Sequence, residues 1–131
     1  MPTKKHRVIL LTTLSIFCAS FSASAEKTGE EVFKSTCIAC HTAGMSKAPS
    51  AHQWDNWTPF IGIVLSKNNQ PNATLDVKKI DDYATQLLPY AKEGKSLMPE
   101  KGVMPPKGTC VSCSDAELKA AIVFMLTPNK P

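Results

Sequence analysis

The chain has 131 residues, with 15 Lys and Arg against 11 Asp and Glu, which gives a formal net charge of +4. Lys4, Lys5 and Arg7 supply three of those excess charges and precede an apolar run from Val8 to about Phe21, so the remaining chain is close to neutral. This length suits one small domain rather than two, and the near-neutral remainder gives no reason to expect a nucleic-acid partner.

The N-terminal segment has the pattern of a secretory signal peptide. Basic residues come first, the apolar run follows, and Ala23-Ser24-Ala25 is a small-residue cleavage site. The run is short for a spanning helix, which needs about 20 apolar residues; an uncleaved N-terminal anchor is the alternative. We expect residues 1–25 to be a cleaved signal, which also removes Cys18, and residues 26–131 to be one exported domain.

The first helix of this domain is predicted from about Gly29 to Cys40. Thr28 is its N-cap, and two glutamates suit the positive end of the helix dipole. Gly29 either lets another helix cross closely or adds flexibility near the start. Five residues at helical spacing form the predicted inner stripe: Val32, Phe33, Thr36, Cys37 and Cys40.

This helix ends in Cys37-Ile38-Ala39-Cys40-His41, which has the form C-x-x-C-H. The string is the attachment signature of a c-type haem, since two thiols on one helical turn can add to the vinyl groups along one porphyrin edge. The neutral imidazole of His41 is a good iron ligand. A C-x-x-C alone would also suit a redox pair or half a zinc site. With the histidine, the motif predicts one covalent haem c held by Cys37, Cys40 and His41.

Two helices are predicted in the middle of the chain. The second helix starts with Thr58 as N-cap and Pro59 at its first position, and its inner face is Ile61, Val64 and Leu65. The third runs from near Thr74 to about Leu88, where Pro89 breaks or kinks it before a last turn that ends at Gly94. Its apolar face comprises Val77, Ile80, Ala84, Leu87 and Leu88.

The last helix has the clearest start. Ser114 as N-cap and Glu117 three residues later form a capping box, and Pro128 ends the helix. Its stripe is Leu118, Ala121, Ile122 and Met125, with Phe124 at the edge. The elements together predict an all-α domain with long loops.

A second axial ligand on the iron decides the function. A protein ligand makes an electron carrier, whereas an open position makes a sensor or an enzyme. The candidates are His52, Met45, Met98 and Met104.

Met104 is favoured because it is far from His41 in sequence and because Pro105 and Pro106 stiffen its loop. The alternative for Met104 is a methionine that fills a gap in the core. Met98 precedes a single proline and ranks second.

The other two candidates are weaker. Met45 is only four residues beyond His41, too near to reach the opposite face of a haem. His52 is more simply explained as a polar residue in a loop.

A second C-x-x-C, Cys110-Val111-Ser112-Cys113, has Ser114 where a haem motif needs histidine. It fits a structural disulfide, a reactive dithiol with Cys110 as the attacking thiol, or a metal site, for which the chain has few ligands left. We favour the disulfide, which would tie the end of the Met104 loop to the start of the last helix.

Together these motifs resemble class I cytochromes c, and within that class the bacterial cytochrome c5 type. The matching blocks cover most of residues 26–131: Gly29–Phe33, Cys37–His41, Trp57–Ile61, Met104–Asp115 and Glu117–Ala121. The block from Met104 to Asp115 discriminates best, because it joins the methionine loop to the extra cysteine pair of that type.

The resemblance implies a small single-domain cytochrome c fold, with helices packed around one haem and with His41 and Met104 as axial ligands. It also implies a Cys110–Cys113 disulfide and a crossing of the first and last helices near Gly29 and Phe124.

Two further roles come from the same resemblance. Pro49 is similar to the proline whose carbonyl orients the histidine ligand. Trp57 resembles the aromatic that packs near the haem, although a plain core tryptophan fits equally well. The stretch from Lys67 to Lys101 looks longer than in a compact cytochrome c5, which leaves open the packing around the ligand loop.

The function implied is that of a periplasmic one-electron carrier, not an enzyme, with no small-molecule substrate. A membrane quinol-oxidising complex or dehydrogenase would donate electrons, and a terminal oxidase or reductase would accept them, through weak transient docking. The alternatives are a haem subunit of a larger membrane or periplasmic oxidoreductase, a gas-binding or peroxidatic haem protein with a labile Met104, and a haem-free dithiol protein.

Overall fold

The computed structural model describes residues 25–42 and 47–129. Those residues form five α-helices and no strand: α1 (Gly29–Val32), α2 (Ile38–His41), α3 (Trp54–Lys67), α4 (Ile80–Glu93) and α5 (Asp115–Leu126). A π-helical turn at Phe33–Cys37 joins α1 to α2, and three 3-10 turns complete the set: Val77–Lys79, Pro99–Lys101 and Pro106–Thr109. The predicted all-α class is therefore confirmed.

Two predictions concern residues outside these ranges. The predicted signal peptide, apart from Ala25, and the candidate ligand Met45 lie outside the described residues. Among the residues that are described, no helix has both the length and the apolar character needed to cross a membrane.

The first and last helices cross where Gly29 meets α5. A Cβ atom at Gly29 would lie 2.1 Å from the carbonyl oxygen of Ala120, closer than atoms of real side chains approach. Nearby, the rings of Phe33 and Phe124 pack with their centroids 5.3 Å apart. Of the two explanations for Gly29, close crossing is the one that the structure supports. Thr28 is the N-cap, as predicted, and forms a capping box with Glu31.

The first helix departs from prediction in its middle. The Ile38 amide donates to the carbonyl of Phe33 five residues back, and the hydroxyls of Ser35 and Thr36 donate to the Val32 carbonyl at 3.0 and 3.1 Å. Hydroxyl side chains near the backbone thus compete with the regular α-helical bonds. After this wide turn Cys37 is buried and Cys40 is exposed.

The start of α3 was predicted wrongly. The helix begins at Trp54, with Gln53 as N-cap, so Pro59 lies inside it and not at its first position. A proline there cannot donate to the carbonyl four residues earlier. The hydroxyl of Thr58 donates to that carbonyl, of Asp55, at 3.0 Å, and so replaces the missing bond. The predicted inner face of this helix is buried.

The third predicted helix starts later than expected and continues through Pro89 to its predicted end at Gly94. A 3-10 turn comes first because the Asp76 carboxylate caps it, accepting from the Lys78 amide at 2.9 Å, and this leaves Val77 exposed. Pro89 does not break α4, which runs on to Glu93. Pro89 and Thr85, whose carbonyl loses its usual donor, are both exposed, so water can take that bond.

Helix α5 matches its prediction. It begins with the Ser114–Glu117 capping box and ends at Leu126, just before Pro128. Its predicted stripe is buried and packs against α1 and α4. Exposed ion pairs from Lys92 to Asp115 and from Lys119 to Asp81 also link α4 and α5, which favours this orientation more than it adds stability.

We expect Gly29→Ala to destabilise the domain by about 2 kcal/mol or more, because the new methyl group must displace the α5 backbone. Chemical denaturation of the haem-loaded protein measures this change. Gly62→Ala is the matched control: nothing lies within 4 Å of its Cβ position, so alanine inside α3 should stabilise by about 0.5–1 kcal/mol. Equal stability of the two variants would contradict the close crossing.

Candidate functional site

The two thiols of the C-x-x-C-H motif lie on the π turn and on α2. Cys37 is buried and Cys40 is exposed, and both are free, not joined to each other. Burial raises the pKa of the Cys37 thiol, while a hydrogen bond with the Thr36 hydroxyl acts in the opposite direction. Both sulfurs are therefore available for covalent attachment to another group.

His41 closes α2 and is the buried polar residue of this region, with 8 % of its surface exposed. Its Nδ1 lies 2.7 Å from the carbonyl oxygen of Pro49, so Nδ1–H donates and Nε2 keeps its lone pair. Burial lowers the pKa of the ring, against the opposing effect of the Pro49 bond. A neutral imidazole with a fixed tautomer is what a metal-ligating histidine needs.

Trp57 packs directly on this imidazole. The two rings are stacked, with centroids 5.5 Å apart and an interplanar angle of 13°. The indole Nε1–H donates to the carbonyl of Ser50 at 2.9 Å, one residue after Pro49. Trp57 therefore contacts the imidazole and also holds the loop whose carbonyl fixes that imidazole.

The loop around Met104 lies against the helix that carries Cys37. The 3-10 turn Pro106–Thr109 packs on the π turn Phe33–Cys37. Met104 is half-buried, and its Cε lies 3.2 Å from the position that a Cβ of Gly108 would take. The chain thus curls around the thioether, helped by the left-handed backbone of Gly108 at φ 58°.

Two connections hold the far end of this loop. Cys110 and Cys113 are joined in a disulfide immediately before α5. The ammonium group of Lys107 donates to the carbonyl of Cys113 at 3.0 Å. Lys107 also has a left-handed backbone, with φ 55°, which is costly for a side chain with a Cβ. The disulfide and the Lys107 bond therefore offset the backbone cost of this turn.

The remaining ligand candidates lie in different surroundings. Met98 is half-buried and precedes the turn Pro99–Lys101. His52 donates from its backbone amide to Met125 at 2.7 Å, and its Nδ1 lies 2.8 Å from the carbonyl of Thr127. Its ring packs edge-on against Phe124. His52 therefore anchors its loop to the end of α5.

Three features of the site were not found from the sequence. They are the carbonyl of Ser50 as acceptor for Trp57, the ammonium group of Lys107 on Cys113, and a close contact of Gly94 with the Met104 loop. Only Gly94 had a sequence signal, as the end of a helix, and that signal says nothing about what the glycine touches.

The chemistry of this donor set fits a covalently bound haem. Two free thiols lie three positions apart, and a neutral imidazole with a free Nε2 follows the second thiol. It does not fit an ordinary protein-ligated cation, because residues 25–42 and 47–129 hold no cluster of three or more His, Cys, Asp or Glu suited to a metal ion.

Comparison with known families agrees with this fit. Residues 24–125 match the family described as cytochrome C oxidase, cbb3-type, subunit III. Cytochrome c5 of Azotobacter vinelandii is 33% identical over 96 residues, which cover 73% of this chain and 88% of that protein. Cytochrome c-555 of Chlorobaculum tepidum is 26% identical over 102 residues, which cover 78% of this chain and 75% of that protein.

A solved structure is similar as well. It is a chain from the crystal structure of an electron transfer complex of nitrite reductase with cytochrome c. The superposition has a TM-score of 0.51 at 27% sequence identity, and it covers 79% of this chain and 95% of that one. The helical arrangement described above is therefore shared with a protein already seen in an electron-transfer complex.

Replacing Trp57 by phenylalanine tests the loop contact. The variant keeps an aromatic ring against His41 but loses the donor to Ser50, so we expect it to lose about 1 kcal/mol of unfolding free energy. Trp54→Phe is the matched control, since the half-buried Trp54 ring packs on Tyr83 of α4. Urea denaturation of both variants measures the difference. A larger loss for Trp54→Phe would contradict this role of Trp57.

Proposed function

This chain belongs to the c-type cytochrome family, and from that premise we propose that it is a periplasmic one-electron carrier with His41 and Met104 as axial ligands. Family members bind haem c covalently, and the single C-x-x-C-H motif provides for one haem. The proposal assigns no substrate and no catalytic acid or base.

One observation carries this proposal: His41 is held neutral, buried and in one orientation immediately after the two free thiols. The bond to Pro49 determines which ring nitrogen keeps its lone pair. A general acid or base exchanges protons with water, whereas this imidazole is buried and its pKa is lowered. Its surroundings therefore favour the role of a permanent ligand.

Different residues of the chain would hold the cofactor in different ways. Cys37 and Cys40 would form the two thioether bonds, His41 and Met104 would ligate the iron, and Trp57 would pack beside the His41 ring. When bound, the haem supplies an iron that alternates between Fe(II) and Fe(III). The stiff Met104-Pro105-Pro106 segment and the disulfide beyond it reduce the entropy lost in holding a weak thioether ligand.

Partners and compartment follow from the same proposal. The N-terminal pattern of residues 1–25 supports export to the periplasm. The similarity to a cytochrome c complexed with nitrite reductase supports redox proteins as partners. We propose a membrane quinol-oxidising complex or dehydrogenase as donor and a terminal oxidase or reductase as acceptor.

Met104→Ala tests the ligand assignment. We expect the oxidised wild-type protein, produced with a periplasmic haem-maturation system, to show the weak far-red absorption band of a sulfur–iron bond. Met104→Ala should lose this band and have a lower reduction potential, because methionine ligation raises the potential. Visible spectra of both redox states and a potentiometric titration measure the change.

Met98→Ala is the matched control, since it removes a methionine that also precedes a proline but should keep the band and the potential. If Met98→Ala lost the band and Met104→Ala kept it, the ligand would be Met98 and the assignment of Met104 would be wrong. Haem without the band in the wild type would favour a sensor, a peroxidatic protein or ligation by His52. Absence of covalent haem would reject the proposal altogether.

The family description also supports a second candidate, a haem subunit of a larger oxidoreductase. That description names a subunit of an oxidase, and the segment from Lys67 to Lys101 would provide an interface. Gel filtration of native periplasm separates the two candidates. Elution of the haem at the size of a free small domain supports the carrier, and elution in a large assembly supports the subunit.

A further inference from the structure

Helix α4 ends directly against the Met104 loop. Gly94 is its C-cap, with φ 69° and ψ 28°, and its amide donates to the carbonyl of Tyr90. A Cβ at Gly94 would lie 2.7 Å from the nitrogen of Pro106 and 2.8 Å from the carbonyl oxygen of Met104. Both the left-handed backbone and the absence of a side chain are thus required at this position.

The nearest atoms to this Cβ position are the nitrogen and Cδ of Pro106 and the carbonyl oxygen of Met104. None of them can move aside by a side-chain rotation, because Cδ belongs to the closed proline ring. For an ordinary contact, the Met104 carbonyl would have to retreat from 2.8 Å to at least 3.4 Å from a new Cβ. A functional constellation tolerates displacements of about 0.5 Å. The shift that a Cβ at position 94 demands of the Met104 carbonyl is therefore at least as large as the displacement that a ligand site tolerates.

Helix α4 is anchored in the core by its inner face and carries an exposed ion pair near its end. Lys92, two residues before Gly94, pairs with Asp115 at the start of α5 at 2.6 Å. On the inner side of the helix, Ala84 and Leu87 are buried in the core. Because the inner face of α4 is anchored in the core while the Met104 loop is irregular and half-exposed, we expect a clash at Gly94 to be relieved mainly by movement of the Met104 loop.

On these grounds we propose that Gly94 is a positioning residue for the Met104 thioether. It gives the Met104 backbone a fixed support, while Gly108 leaves room for the terminal methyl group, whose Cε lies 3.2 Å from the Cβ position there. This inference rests on the proposed function, in which Met104 ligates the iron. It also explains why the longer segment before Met104 need not disturb the ligand: the chain leaves at Gly94 and returns to it at Met104.

The test compares four haem-loaded proteins: wild type, Gly94→Ala, Gly94→Asn and Gly29→Ala. Asparagine tolerates a left-handed backbone but keeps the Cβ, so it separates backbone strain from the contact with Met104. Gly29→Ala is the matched control, because it also places a Cβ against a backbone carbonyl, but on α5 at Ala120.

We expect both Gly94 variants to weaken or lose the far-red sulfur–iron band and to have lower reduction potentials. When reduced, both should bind carbon monoxide at least about tenfold more tightly, because the new Cβ displaces the Met104 backbone and loosens the ligand. Gly29→Ala should unfold more easily yet keep the band and the potential. If Gly94→Ala does not accumulate as holoprotein, the milder Gly94→Asn carries the test.

One outcome would contradict the role of Gly94 in positioning Met104. Gly94 variants that lose stability as Gly29→Ala does, but keep the band, the potential and the weak carbon monoxide affinity of the wild type, would reduce Gly94 to a structural glycine. A wild-type protein that has covalent haem but lacks the band would reject Met104 ligation itself, and so the proposed function. The two failures are therefore distinguished by the wild-type spectrum.

Discussion

The hydrogen bond from His41 to the carbonyl of Pro49 is the interaction on which the candidate site depends. At 2.7 Å it fixes the tautomer and the rotation of a buried ring. A free loop could not hold such a bond, because the entropy of ordering it would offset the gain. The value of the contact therefore depends on what immobilises the loop that carries Pro49.

Three connections immobilise that loop. The amide of Ala51 donates back to the carbonyl of His41 at 2.6 Å, the indole of Trp57 donates to Ser50, and the amide of His52 donates to Met125. They tie the loop to α2, α3 and α5 in turn. A loop with four consecutive residues held in this way behaves as part of the core, so the orientation of His41 depends on three helices at once.

The sequence predicted what local rules determine. The capping boxes at Thr28 and Ser114 were found because cap and partner are three residues apart, and the α5 stripe was found because it follows one helical period. The donor motif Cys37–His41 was likewise local. The error at Pro59 arose because a neighbouring hydroxyl can replace a proline's missing bond, and sequence alone does not show that it does. At Pro89 the sequence left a break or a kink open, and the helix continues through it to the predicted end at Gly94.

Contacts between distant residues were the hardest to predict: the crossing at Gly29 was one of two explanations left open, and the contact of Gly94 with the Met104 loop had no sequence signal. Gly29 meets Ala120, and Gly94 meets Met104 and Pro106, through backbone atoms that any residue type possesses. Composition and periodicity describe side chains. The only sign of a close backbone contact in the sequence is therefore a glycine at that position. The π turn could not be predicted either. Ser35 and Thr36 are common in ordinary helices, and the sequence does not show that their hydroxyls donate to the Val32 carbonyl.

Both sides of the proposed ligand pair are connected to the same helix. The loop that carries Pro49 is bonded to the C-terminal end of α5 through His52. The Met104 loop is joined to the N-terminal end of α5 through the disulfide, and α4, which the loop contacts, is joined there through the Lys92–Asp115 pair. A helix of 12 residues is about 18 Å long and keeps its two ends at a fixed separation. Since α5 is itself buried against α1 and α4, the points at which both ligand loops are anchored to α5 are fixed to the core. An electron carrier benefits from a coordination sphere that changes little between oxidation states, and this connection to one buried helix provides a physical means of keeping it constant.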